Sequence, residues 1–118
     1  MKLIQIYECF CDETRLRILN LLARTPLCVS HLQKILEMNQ VKISKHLTYM
    51  KERGMVESKR FENWMIYSLP KDSTSELESN LKCLQDCLIE HSVFQQDLIR
   101  LENIKDKVNQ VEPIGTNK

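Results

Sequence analysis

Five cysteines and three histidines are the side chains of this 118-residue chain that offer chemistry beyond packing. Cys83 and Cys87 are four residues apart, so on a helix they share one face, with His91 one turn further on. Such a column offers two thiolates and an imidazole to a soft metal, or a thiol pair to an oxidant or a persulfide. Cys9 and Cys11 close a short apolar stretch near the start, and Cys28 opens the string Cys28-Val29-Ser30-His31. An odd number of unevenly spaced cysteines suits free thiols in a reducing compartment better than a disulfide framework. The same residues also suit simple burial, because free cysteine packs as a small hydrophobe. His31 and His46 are expected as exposed polar groups rather than metal ligands.

A second chemistry is electrostatic. Residues 39 to 60 carry Lys42, Lys45, Lys51, Arg53, Lys59 and Arg60 against Glu52 and Glu57, a surplus of four positive charges. Residues 71 to 118 carry six basic and nine acidic side chains, so the overall charge of +1 conceals a strong segregation. A segregated basic stretch is what a polyanion-binding surface requires. Catalysis finds less support. Two glycines in the whole chain leave no phosphate-cradling loop, and the scattered histidines have no serine, aspartate or glutamate partners to build a nucleophile and its base. No enzyme is expected.

The elements that must position these groups follow from periodicity. Leu3, Ile6, Tyr7 and Phe10 mark a first amphipathic helix; Asp12 caps a second, ETRLRILNLLAR, which Thr25 and Pro26 stop. Leu27 to Val29 forms an extended connector, and Leu32, Ile35 and Leu36 give a third helix over residues 30–37. Asn39 caps a fourth, in which Ile43, Leu47 and Met50 recur at helical spacing until Gly54 ends it. Two helices joined by a short turn, the second one basic, form a helix-turn-helix. MVESKR and WMIYSL then form a β-hairpin whose polar tip is Phe61, Glu62 and Asn63. From Ser73 one long helix runs through Leu77, Leu81, Leu84, Leu88, Phe94, Leu98, Leu101, Ile104 and Val108. Its apolar stripe, with the first helix, is expected to meet a second copy of the chain. The expected division is one domain over residues 1–108 and a disordered tail over 109–118. A hydrophobic fraction of 42% with no apolar run of membrane length, and an N-terminus without a cleavage site, point to a cytoplasmic protein.

The order of elements and the strings DETRLRILNLL, PLCVSHLQKIL, NQVKISKHLTYMKERGMVESKR and NWMIYSL closely resemble the ArsR/SmtB family of winged-helix transcriptional repressors. That resemblance implies a mainly α fold with a small β-hairpin, a winged helix-turn-helix that dimerises through its first and last helices. It implies a double-stranded DNA operator as partner, with no membrane partner. Gln40 and Lys42, in the first turn of the fourth helix, are expected at base edges, and Ser44, Lys45, His46 and Thr48 along the same face, mainly at phosphates. Lys59, Arg60 and Asn63 are expected to reach the backbone or minor groove, while Val56, Tyr67 and Leu69 pack the hairpin on the body. Trp64 fits either role.

Members of that family are switched by soft metals, metalloids or oxidants, so the resemblance implies an effector such as arsenite, antimonite or a soft divalent metal, and no cofactor for folding. Arsenic-responsive members carry Cys-Val-Cys where this chain has Cys28-Val29-Ser30. A serine hydroxyl replaces a soft thiolate poorly, so Cys28 needs partners from elsewhere. Cys9 and Cys11 are the first candidates, from either subunit, and Cys83 with Cys87 the alternative. Asp86 and His91 match only in part the Asp/His sites that other members place on the last helix. Two further readings stay open: a thiol-redox or persulfide regulator of the same fold, and a winged-helix module that binds proteins and not DNA.

Overall fold

The computed structural model describes the backbone of residues 2–111 and the side chains of residues 2–105. In chain order the elements are α1 (Lys2–Phe10), α2 (Glu13–Leu22), β1 (Leu27–Cys28), α3 (Val29–Leu36), α4 (Gln40–Glu52), β2 (Glu57–Phe61), β3 (Trp64–Ser68), α5 (Ser75–Leu88) and α6 (Ser92–Val111). The expected caps hold. The Asp12 carboxylate accepts from the Arg15 N–H at 3.1 Å, and the Asn39 side chain accepts from the Lys42 N–H at 2.9 Å. Gly54, at φ +75°, donates to the Lys51 carbonyl while Met55 donates back to Met50, so the buried Met55 and a left-handed glycine end α4 together.

The extended connector is a true strand. Leu27 and Cys28 pair with Tyr67 and Ile66, giving a three-stranded antiparallel sheet in the order β1-β3-β2. Pairing of β2 with β3 continues to Phe61 opposite Trp64, so Phe61 belongs to the strand. The turn is only Glu62 and Asn63, with Glu62 at φ 55°.

The expected single long helix is two helices. Leu88 and Phe94 are both buried but six residues apart, which places them about 120° apart around a continuous helix; one straight rod cannot bury both on one face. The chain breaks between them. His91 donates to the Leu88 carbonyl at 3.0 Å, its own carbonyl accepts from Phe94 and Gln95, and the Gln95 side chain donates to the Ile89 carbonyl at 2.8 Å. α5 packs on α1 and α2, while α6 turns back onto α2 and α3. Much of the stripe assigned to a second copy is thus covered within one chain: Leu77, Leu81, Leu88, Phe94 and Leu101 are all buried. α6 continues to Val111, past the expected boundary at 108. The rest of the expected tail, and the Val108 side chain, lie outside the described residues.

An ion pair locks the return of α6. Arg17 and Asp97 meet in a two-pronged contact of 2.8 and 2.9 Å, with Asp97 fully buried and Arg17 8% exposed. The hydrogen bonds that Arg17 donates to Asp97 raise the Arg17 pKa further above its ordinary value, against the opposing effect of burial. One turn later Arg100 donates to the Ile35 carbonyl at 3.1 Å and lies 3.6 Å from Glu37. Glu37 is the left-handed residue, φ 58°, at the turn between α3 and α4. α6 therefore braces the helix-turn-helix from behind.

Removing one member of a buried pair strands the other, which costs about 3–5 kcal/mol. Asp97→Ala is expected to lose that much in chemical denaturation. Lys82→Ala, which removes the exposed i,i+4 partner of Asp86, is expected to change stability by less than about 0.5 kcal/mol. Equal effects from the two variants would contradict this account.

Candidate nucleic-acid interface and thiol sites

Helix α4 is held by its inner row. Ile43, Leu47 and Met50 are fully buried, so the opposite face must look outward. There Gln40, Lys42, Lys45 and Thr48 are exposed and Ser44 is half-buried. Gln40, Val41, Ser44, Lys45 and Thr48 line one shallow surface groove along the helix. Val41, 67% exposed in the middle of this row, was not among the sequence candidates. The available signal was a branched aliphatic between Gln40 and Lys42, off the inner helical repeat.

His46 departs from its expected place. Its side chain is only 16% exposed and turns toward α2, where Nδ1 lies 3.3 Å from Arg15 and Nε2 3.9 Å from Asp12. Burial pushes its pKa below the ordinary histidine value, Asp12 opposes this, and Arg15 and Lys42 add to the lowering. Asp12 is itself lowered: burial opposes this, but the Arg15 N–H and the charges of His46 and Arg15 outweigh it. Two of the six basic side chains of the segment also serve the scaffold. Arg53 lies 3.2 Å from Glu8 and 3.5 Å from the centre of the Tyr49 ring, which Arg15 also approaches at 4.1 Å. Lys51 donates to Ser58 at 2.6 Å. Lys42, Lys45, Lys59 and Arg60 remain exposed, the last two on β2 beside the exposed Asn63 of the turn. Val56 is buried and Tyr67 and Leu69 pack against the core, as expected.

The thiols fall into three unlike settings. Cys9 is buried, and burial pushes its pKa up, whereas Cys11 is exposed. Cys83 and Cys87 are exposed one turn apart on α5, and the neighbouring Cys83 thiol pushes the Cys87 pKa up. His91 does not extend that column, because it falls in the break beyond the end of α5. Cys28 is buried at the start of α3 with its sulfur 3.2 Å from His31 Nδ1 and 3.1 Å from Ser30 Oγ. His31 is fully buried, correcting its expected exposure: it folds back to take the Cys28 N–H at 3.3 Å in a reciprocal cap of the helix. Among the described residues no three of His, Cys, Asp and Glu come close enough together to hold a metal ion, so Cys9, Cys11 and Cys28 do not converge within one chain.

A helix-turn-helix followed by a β-hairpin wing, to which the short strand ahead of α3 also pairs, with an outward basic row on the second helix, defines a winged helix-turn-helix regulator. The sequence model described as bacterial regulatory protein, arsR family, matches residues 12–58. The arsenic resistance transcriptional regulator ArsR1 of Pseudomonas putida is 32% identical over 103 residues, which cover 86% of this chain and 79% of that protein. The solved structure of HlyU from Vibrio cholerae is similar with a TM-score of 0.66 and 27% identity, over 73% of this chain and 90% of that one. The antimony-specific transcriptional repressor AntR gives 0.60 and 28%, over 75% and 78%. The chain belongs to the ArsR family of transcriptional regulators, and it is not an enzyme.

The position of His46 has a measurable consequence. The fold favours its neutral ring, so the associated stability is present above about pH 6.5, the unfolded value, and is lost as pH falls through the lower folded value. NMR titration is expected to place the His46 midpoint below about 6.5. Asp12→Asn should lower it further, since the Asp12 charge favours the protonated ring. A midpoint that rose in that variant would show the ring to be elsewhere.

Proposed function

We propose that this chain is a homodimeric repressor that binds a pseudo-palindromic operator and releases it when trivalent arsenic, antimony or a soft divalent metal meets its thiols. The outward row of α4 carries this reading. Gln40 suits adenine, Lys42 suits guanine and Val41 suits a thymine methyl, all in the first turn where side chains reach base edges. Ser44, Lys45 and Thr48 then lie along the same face for phosphates, with Lys59, Arg60 and Asn63 of the wing on the neighbouring backbone or minor groove. His46 serves instead to seat α4 against α2.

Dimer formation is supported by α1, where Ile4 and Tyr7 are 55% and 49% exposed on a helix that packs beside α5. Two recognition helices in one dimer must meet major grooves one turn of duplex apart, so an effector that alters the angle between subunits breaks simultaneous contact. For the effector site the reading favours Cys83 and Cys87, two exposed thiols one helical turn apart on α5. A trivalent centre would displace both protons and take a third donor from solvent or the partner. The functions of two relatives, arsenic resistance and antimony-specific repression, support this effector class. Such a regulator acts in the cytoplasm.

Fluorescence anisotropy with a duplex from the promoter of its own gene tests both halves. Binding should weaken steeply with salt, and Lys45→Ala should reduce the slope of log K against log salt by about two, one for each subunit of the dimer. Arsenite should release the duplex. Cys83→Ser with Cys87→Ser should abolish that release and leave effector-free affinity within about twofold, because neither thiol lies on the face that meets phosphates. Salt-insensitive association, or none, would replace the operator reading with a protein-binding module. Release that persists in the double variant would move the effector to other thiols.

A further inference from the structure

The corner between α5 and α6 is made of residues that favour no corner. Between Pro70 and Pro113 the chain has neither glycine nor proline, and among the described residues a positive φ occurs only at Glu37, Gly54 and Glu62. Ile89 ends α5 still in the right-handed helical region. His91 precedes the first residue of α6, a place that serine, threonine, aspartate or asparagine fills best. Ile89 is also 64% exposed, so the bend buries little of its own. Nothing local to this stretch interrupts a helix.

What bends the chain is the body beneath α6. That helix packs on α2 and α3, whereas α5 packs on α1 and α2. Arg17 holds Asp97 at 2.8 and 2.9 Å, Phe94 and Leu101 are buried, and Arg100 reaches the Ile35 carbonyl at 3.1 Å. None of these contacts involves the corner itself, so the same surface on a second copy would satisfy all of them. Straightening the corner carries Asp97 about 14 Å past Leu88 along the axis, off its own α2. Leu88 and Phe94 then face directions about 120° apart, which one body cannot bury and two bodies can. The phase step that forbids a straight helix on one subunit suits a helix that bridges a pair.

We propose that two copies of this chain exchange α6: α5 and α6 join as one helix, and Asp97 and Arg100 of each subunit dock on α2 and α3 of the other. Exchange of an identical element keeps every contact of the closed form and changes only the hinge. Its consequence falls on the DNA-reading unit. The turn between α3 and α4 is then braced at Ile35 and Glu37 by the partner's Arg100, so a helix-turn-helix is complete only in the pair. The inference rests on the homodimer reading and deepens it by naming the element that crosses. It needs no thiol and no effector.

Two full-length variants test this, Arg17→Leu and Asp97→Leu. Alone, each strands a buried charge whether α6 stays or crosses, and each is expected to melt at least about 10 °C below the unaltered chain. Unfolded together in urea and refolded as a mixture, they can pair so that one junction regains Arg17 with Asp97 and the other becomes leucine against leucine. That mixture is expected to melt within about 5 °C of the unaltered chain and to show a heterodimer of one copy each in native mass spectrometry. Adding Ser92→Pro to both chains should abolish the rescue, because proline suits the first position of a helix and interrupts a continuous one. Should the proline chains fail to fold, the mixture without them decides. A mixture that melts as its components do, or a rescue that survives Ser92→Pro, overturns the exchange. Single variants as stable as the unaltered chain overturn it too, since the pair would then lock nothing. An unaltered chain that sediments as a dimer beside an unrescued mixture keeps the homodimer reading and loses the exchange, and one that sediments only as a monomer loses both. A rescued mixture beside an unaltered chain that binds no duplex removes the operator reading alone.

Discussion

Three buried side chains on one helix decide what the rest of this protein can do. Ile43, Leu47 and Met50 fix the rotation of α4, and each burial contributes roughly 1.5–3 kcal/mol before entropy is counted. A rotation of a third of a turn would expose this row and bury Lys42 or Lys45, whose charges have no partners in the core. The two ends of the helix are fixed as firmly, by Asn39 at one and by Gly54 with Met55 at the other. The outward row therefore owes its position to what lies underneath it.

The basic residues of this region divide into two kinds of work. Arg53 and Lys51 are taken up by Glu8, Tyr49 and Ser58, and Arg15 joins Arg53 against the same ring. These contacts seat α4 on α1, α2 and the wing. Lys42, Lys45, Lys59 and Arg60 stay on the surface, where they hold the field that a polyanion would feel. Segregated charge thus serves scaffold and surface together, and the share given to each depends on the aromatic ring that the arginines find.

Local features were legible in the sequence because they depend on neighbours in the chain. Asp12 and Asn39 announce helix starts by side-chain chemistry and Gly54 a helix end by backbone freedom, while two short strings rich in Val, Ile, Trp and Tyr around a polar tip announce a hairpin. Features made between distant residues were not legible. The partner of Arg17 is eighty positions away, and the pairing of Leu27 and Cys28 depends on a strand some forty residues later. The break at His91 was hidden for another reason: leucines continue at nearly helical spacing, and only the step from Leu88 to Phe94 departs from it. For the candidate sites, the outward row of α4 could be read from periodicity. The inward turn of His46, and of His31 against Cys28, could not, since both follow from rotamers chosen to fill local space.

The pairing of Arg17 with Asp97 sets the smallest piece of this chain that can be inherited as a working part. The segment matched by the family runs from 12 to 58, and it holds the helix-turn-helix and the start of the wing. It also holds a guanidinium that is buried against a carboxylate far outside it. Shuffling that segment alone into another regulator would import an orphaned cation into the new host's interior. A transplant that keeps the pair intact must carry the last helix along with the segment.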